Sequence, residues 1–170
     1  MNGWIRTRAA FSSLLLSVMF AGGLAAASDA ELCVTGAGPR QVEPTLQQSI
    51  PRDYVKAWQT LSAALESGDP ALLDRYWVGV AHDKFHRMVE DRARTGVQVR
   101  YKDTAHQLQA VFYPADGAAL LLYDTVHVEI QIIRSGKIID SEETTEKYLV
   151  LMTPAQDRWL VRVFQSIPLS

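Results

Sequence analysis

Residues 118–167 read AALLLYDTVHVEIQIIRSGKIIDSEETTEKYLVLMTPAQDRWLVRVFQSI, and their pattern decides the fold. Val126, Val128, Ile130 and Ile132 alternate with Thr125, His127, Glu129 and Gln131. Side chains alternate across a strand, so Ala118 to Ile133 is predicted as a strand with one apolar and one polar face. Arg134-Ser135-Gly136-Lys137 supplies turn chemistry, with Gly136 free to take a positive φ. The return strand begins polar, from Asp140 to Glu146, and becomes apolar on both faces at Tyr148 to Met152. Such a stretch is covered on both sides or pairs with another chain. After the turn Thr153 to Asp157, a last strand runs from Trp159 to Ile167. Trp159, Val161 and Val163 are expected on one face, and Leu160, Arg162 and Phe164 on the other. A three-stranded meander of this kind needs helices or a second sheet against its apolar face.

The partner layer lies upstream. Tyr54, Trp58, Leu61 and Leu65 recur at helical spacing and predict a helix over Arg52 to Ser67, with Pro51 at its start. Gly68-Asp69-Pro70 ends that helix and opens a short one to about Val78, with Asp69 as the N-cap. A third helix is expected from about Val80 to Thr95, stopped by Gly96. Val97 to Tyr101 and His106 to Tyr113 read as two further strands. The fold class is therefore α+β: N-terminal helices packed on a curved antiparallel sheet of four to five strands.

The 170-residue chain is long enough for one domain with a core. Its first 27 residues carry Arg6 and Arg8, an apolar run from Ala9 to Leu24, and Ala25-Ala26-Ala27, the order of a secretory signal peptide. A single membrane anchor is the alternative, against which the run is short and holds Ser12, Ser13 and Ser17. Cleavage would remove two arginines and no acid, taking the net charge from −2 to −4. That balance argues against nucleic acid as a partner. Residues 28–50 hold Gly36, Gly38, Pro39 and Pro44 without periodicity and read as a flexible linker, leaving 51–170 as the domain. The lone Cys33 has no internal disulfide partner. Periplasmic or secreted localisation follows, with no membrane association after cleavage.

The order of elements, together with Tyr54 to Leu65, Gly68-Asp69, Tyr76-Trp77, Val126 to Ile132 and Trp159 to Phe164, resembles the nuclear transport factor two-like superfamily. This is the cystatin-like cone that includes SnoaL-like and ketosteroid-isomerase-like proteins. The resemblance covers about Pro51 to Ile167 and is one of pattern, not of a diagnostic motif. It implies a sheet wrapped around the long helix, with a pocket at the open end of the cone. Some members of that superfamily are isomerases or hydrolases; many only bind, dimerise or serve as accessory domains.

No motif assigns chemistry. His82 and His86 share a helix face at the spacing of a zinc site, but Asp83 stands where a catalytic glutamate would, and no third ligand is evident. An isomerase would need a carboxylate base and a buried acid donor. Tyr54, Tyr76, Asp103, Asp124 and Tyr148 are available types, with Asp103 expected at a strand end and Asp124 on a strand's outer face. His127 and Glu129 share one face of a strand, turned to the pocket or to solvent. A basic stretch from Lys84 to Lys102 and acids from Asp140 to Glu146 read as solvated surface, or as docking through opposite charge. No catalytic residue, cofactor or metal is assigned. Tyr54, Trp58, Tyr76, Trp77 and His127 are the candidate pocket. The expected function is non-catalytic binding of a small apolar ligand or a protein partner, with a homodimer through the sheet. A small SnoaL-like isomerase or hydrolase is the competing reading.

Overall fold

The computed structural model describes residues 29–34 and 36–169. The expected signal peptide lies outside them. The elements are β1 (Asp29–Cys33), α1 (Pro44–Ser67), a 3-10 helix (Pro70–Arg75), α2 (Gly79–Thr95), β2 (Val97–Phe112), β3 (Leu120–Arg134), β4 (Lys137–Pro154) and β5 (Trp159–Ile167). The strands form one sheet in chain order, β2 to β5 antiparallel and β1 parallel to β2. The α+β architecture is the one expected, except that β1, which comes before the helices, joins the sheet in parallel.

The segment read as a linker is ordered instead. Asp29–Cys33 adds β1 to the sheet, and α1 begins at Pro44, so that Pro51 lies inside the helix. The physical reason is that Pro44 already occupies the first helical turn, where a missing N–H costs nothing. The apolar stripe also starts earlier, at Ile50, and continues through Tyr54, Trp58, Leu61 and Leu65, all buried. Gly68 closes α1 with φ of 76°, a left-handed conformation that glycine adopts without steric cost. Asp69 then accepts the Ala71 N–H at 3.0 Å and caps the 3-10 helix, which is shorter than the helix expected there.

β-Bulges curve the sheet around α1. Thr104 has no partner across β2–β3, because Asp103 faces Val128 and Ala105 faces His127. The two strands expected at Val97–Tyr101 and His106–Tyr113 are thus one strand with a change of parity. Arg162 is likewise skipped between β4 and β5. Trp159, Val161 and Phe164 are therefore the buried positions of β5, and Val163 is not grouped with them as expected. The Asp53 carboxylate accepts the Trp159 backbone N–H at 2.9 Å, tying α1 to the start of β5.

The sheet is wider at one end than the other. β5 pairs only with Lys147–Pro154, and β1 only with Ala105–Gln109, which leaves half of β4 and half of β2 at sheet edges. Helix α1 lies over the free half of β2. Ser62 Oγ donates to the Tyr101 carbonyl at 3.2 Å, and Arg100 donates to Glu66. The outer edge of β5 is closed by the residues before α2: Val161 N donates to Tyr76 O, and Val78 N to Val161 O, at 2.8 and 2.9 Å.

Candidate functional site

Side chains from α1, β2 and β3 meet inside the cone. Tyr54 and Trp58 are one helical turn apart on α1 and face the sheet. Asp124 shares the parity of Val126 and Val128 on β3 and points inward with them. The unpaired Thr104 lets Asp103 and His106 face the same way on β2, three residues apart. Tyr54 OH donates to Asp124 Oδ2 at 2.8 Å. His106 Nδ1 is 2.9 Å from the same oxygen, and His106 Nε2 is 3.0 Å from Asp103 Oδ2.

Both imidazole nitrogens face carboxylate oxygens, which only accept, so His106 donates from both and carries the positive charge. Burial favours its neutral form, but hydrogen bonds and charge from Asp103 and Asp124 outweigh that and raise its pKa to about 9. Burial, then the Asp124 charge, holds the Tyr54 hydroxyl well above its ordinary range. The His106 and Asp124 side chains are 0% exposed, and Asp103 is 13% exposed. Asp124 Oδ1 and Trp58 Nε1 have no hydrogen-bond partner, although the indole N–H lies beside the Tyr54 hydroxyl.

Aromatic rings cover this centre. Trp58 contacts His106 at 5.1 Å between centroids, Phe164 at 5.7 Å, and Tyr101 and Tyr148 at 5.8 Å. Tyr101, Ile130 and Tyr148 share the inward side of the sheet, are only partly buried, and pack against the core. Burial raises the Tyr148 hydroxyl above its ordinary range, with Glu146 adding to the effect.

Of the residues expected to line a pocket, only Tyr54 and Trp58 belong to this centre. Trp77 reaches it indirectly, through Phe164 at 5.6 Å, and spends its indole N–H on the Ala57 carbonyl at 2.9 Å. Tyr76 is buried elsewhere, under the Arg158 guanidinium 5.6 Å from its ring. His127 is not in the cone at all. It is exposed on the outer face, with Nδ1 2.8 Å from Thr145 Oγ1, because it has the opposite parity to Asp124 and Val126. Asp124 and Asp103 reverse their expected places, the first being in the core and the second mid-strand. His82 and His86 stay on α2, their rings 5.6 Å apart. His82 bonds Asp74 at 2.8 Å, and His86 lies 3.6 Å from Glu90.

Pattern reading does not find His106, and it names Asp124 as an available carboxylate but places it on the outer face. Asp124 had a signal, an acid in register with an apolar stripe. Placing His106 and Asp103 together requires the bulge, which nothing in the sequence marks.

No protein-family model matches the chain, and no curated protein matches it by sequence. Solved structures do match by shape. The intermembrane space region of the chloroplast protein ARC6 aligns with a TM-score of 0.64 at 15% identity, over 76% of this chain and 98% of that one. A protein from Catenulispora acidiphila aligns with a TM-score of 0.50 at 12% identity, over 71% and 92%. ActVI-ORFA from Streptomyces coelicolor aligns with a TM-score of 0.49 at 12% identity, over 69% and 95%. These likenesses show the fold alone, the cone-shaped α+β architecture that the sequence leads one to expect.

Proposed function

We propose that this chain is an exported, non-catalytic binding domain. It takes an apolar group, from a small ligand or a protein partner, at the concave mouth formed by Tyr101, Ile130 and Tyr148. One observation carries this reading: the charged centre is sealed, whereas the apolar surface above it is open. A general base must reach the proton it removes. Both nitrogens of His106 are committed to carboxylates, and its side chain has no exposed surface. The network therefore supports the mouth from below, by fixing α1 against β2 and β3. The competing isomerase or hydrolase reading would need Trp58 to move aside.

The order of Arg6, Arg8, the apolar run and Ala25 to Ala27 supports export to the periplasm or medium. A homodimer through the sheet is part of the same proposal. Leu121, Leu151 and Val163 are in register on neighbouring strands, beside Tyr123 and Leu149. All five are only partly buried on the outer face. Apolar side chains grouped this way mark contact surfaces.

The test is native mass spectrometry of the exported protein beside an Ile130→Arg variant, with 1-anilinonaphthalene-8-sulfonate as an added probe. A retained molecule or bound probe on the natural chain, lost in the variant, supports the mouth. Equal behaviour of the two chains overturns it.

A further inference from the structure

The free half of β4 is the one stretch of long sheet edge that the described residues leave uncovered. β5 stops pairing at Lys147, and Lys137 to Glu143 are all exposed. The contrast with β2 is instructive, because α1 covers the corresponding half of that strand through Ser62 and Glu66. Exposed strand edges carry unpaired backbone donors and acceptors and are templates for another strand.

The direction of these groups can be read from one bond. Ser141 N donates to the Asp140 side chain at 3.0 Å and so is not bonded to β3. In an antiparallel pair, alternate residues turn both backbone groups to the same side. Ser141, Glu143 and Thr145 therefore present N–H and C=O outward, the Ser141 N–H being held by the Asp140 carboxylate until an added strand displaces it, and Glu142 and Thr144 face β3.

Charge selects the occupant. Asp140, Glu142, Glu143 and Glu146 lie within this half-strand, and among the described residues none is in an ion pair. Glu143 sits directly opposite Glu129 on β3, an unfavourable like-charge pair. Glu129 is already held by Ser141 Oγ, Gln131 Nε2 and Lys102 Nζ at 2.7, 2.6 and 3.2 Å. Glu143 has no such support, and a cation on an added strand would supply it. A second copy of this edge would bring acids against acids. Two large apolar side chains, Ile138 and Ile139, stand 54% and 55% exposed at the hairpin end of the same edge.

We propose that β4 residues 138–146 are a strand-addition site for an extended, basic segment of a partner protein. Backbone hydrogen bonds at Ser141, Glu143 and Thr145 hold the strand, the carboxylates choose lysine- or arginine-bearing sequences, and Ile138 and Ile139 cover one apolar side chain. This edge adjoins the concave mouth, since Glu142 lies opposite Ile130, but the proposal rests on outward backbone groups and does not depend on what the mouth binds.

The test uses the full chain and a synthetic extended peptide alternating lysine and threonine, with a glutamate–threonine peptide as its counterpart. Residue-resolved amide exchange should show protection of Ser141, Glu143 and Thr145 by the basic peptide, lost at high salt and not produced by the acidic one. Glu143→Pro removes an outward N–H and leaves the β3 ladder intact, so it should fold and lose the protection. The joint variant Glu142→Gln, Glu143→Gln, Glu146→Gln keeps every backbone group and should weaken binding while folding normally. Protection absent from those three amides, or equal with the acidic peptide, would overturn the proposal. So would binding undiminished in the variants. In any of those cases the acids serve only to keep other strands away.

Discussion

His106 Nδ1 and Asp124 Oδ2 meet at 2.9 Å with no exposed surface on either side chain. They come from neighbouring strands, and Tyr54 from α1 shares the same carboxylate oxygen. An ion pair removed from water is costly unless its hydrogen bonds are good. Here they are short, and Asp103 takes the second imidazole proton, so that helix and sheet are joined at one charged point.

The pH dependence of stability follows from that point. The folded-state pKa of His106 is raised to about 9, above its ordinary 6.5. The stabilisation from its protonated form is therefore fully present below about pH 6.5 and is lost as pH rises through about 9. Its size is on the order of 3 kcal/mol. Urea midpoints should fall across that window in the natural chain and lose this fall in His106→Gln. A midpoint that stays level or rises in the natural chain would contradict it.

Asp124→Ala should be among the most damaging single changes, because it leaves His106 and Tyr54 without their shared acceptor. A loss of roughly 3–5 kcal/mol is expected. Tyr54→Phe removes one hydrogen bond to a charged group and should cost about 1.5–3 kcal/mol. Denaturant titrations of both variants and the double variant measure this, and strict additivity would argue against a shared network.

Deleting Thr104 removes the bulge and restores simple alternation along β2. Asp103 and His106, then two residues apart, would still share a face, because the register on either side of Thr104 is kept. The deletion should therefore keep a cooperative thermal transition, whereas inserting one alanine after Ala105 puts the pair three paired residues apart and on opposite faces, and should abolish it. An insertion chain as stable as the natural one would show that parity does not position the pair.

Sedimentation at micromolar concentration tests the outer-face dimer. The natural chain should run as a dimer, and Leu149→Glu as a folded monomer. A monomeric natural chain would remove this part of the proposal.

Much of the architecture was legible because it rests on strict periodicities. The alternation from Val126 to Val128 and the helical stripe from Tyr54 to Leu65 have one good reading each. The start of α1 was obscured by Pro51, a residue that the tertiary burial of the stripe overrides. The site was harder. Side-chain direction along a strand holds only while every residue has a partner, and Thr104 and Arg162 break that count. His106 and Phe164 therefore face inward against a straight extrapolation of parity. His127 fails for the opposite reason, since its neighbours Val126 and Val128 already place it outside.

Helix α1 does one thing beyond filling the cone. By lying across the free half of β2, it occupies from within one of the two long half-edges that the described strands leave. Copies joined through those two half-edges would need both of them free, and of the two only that of β4 stays open. The helix that fills the cone thus also works against end-to-end growth of the sheet through β2.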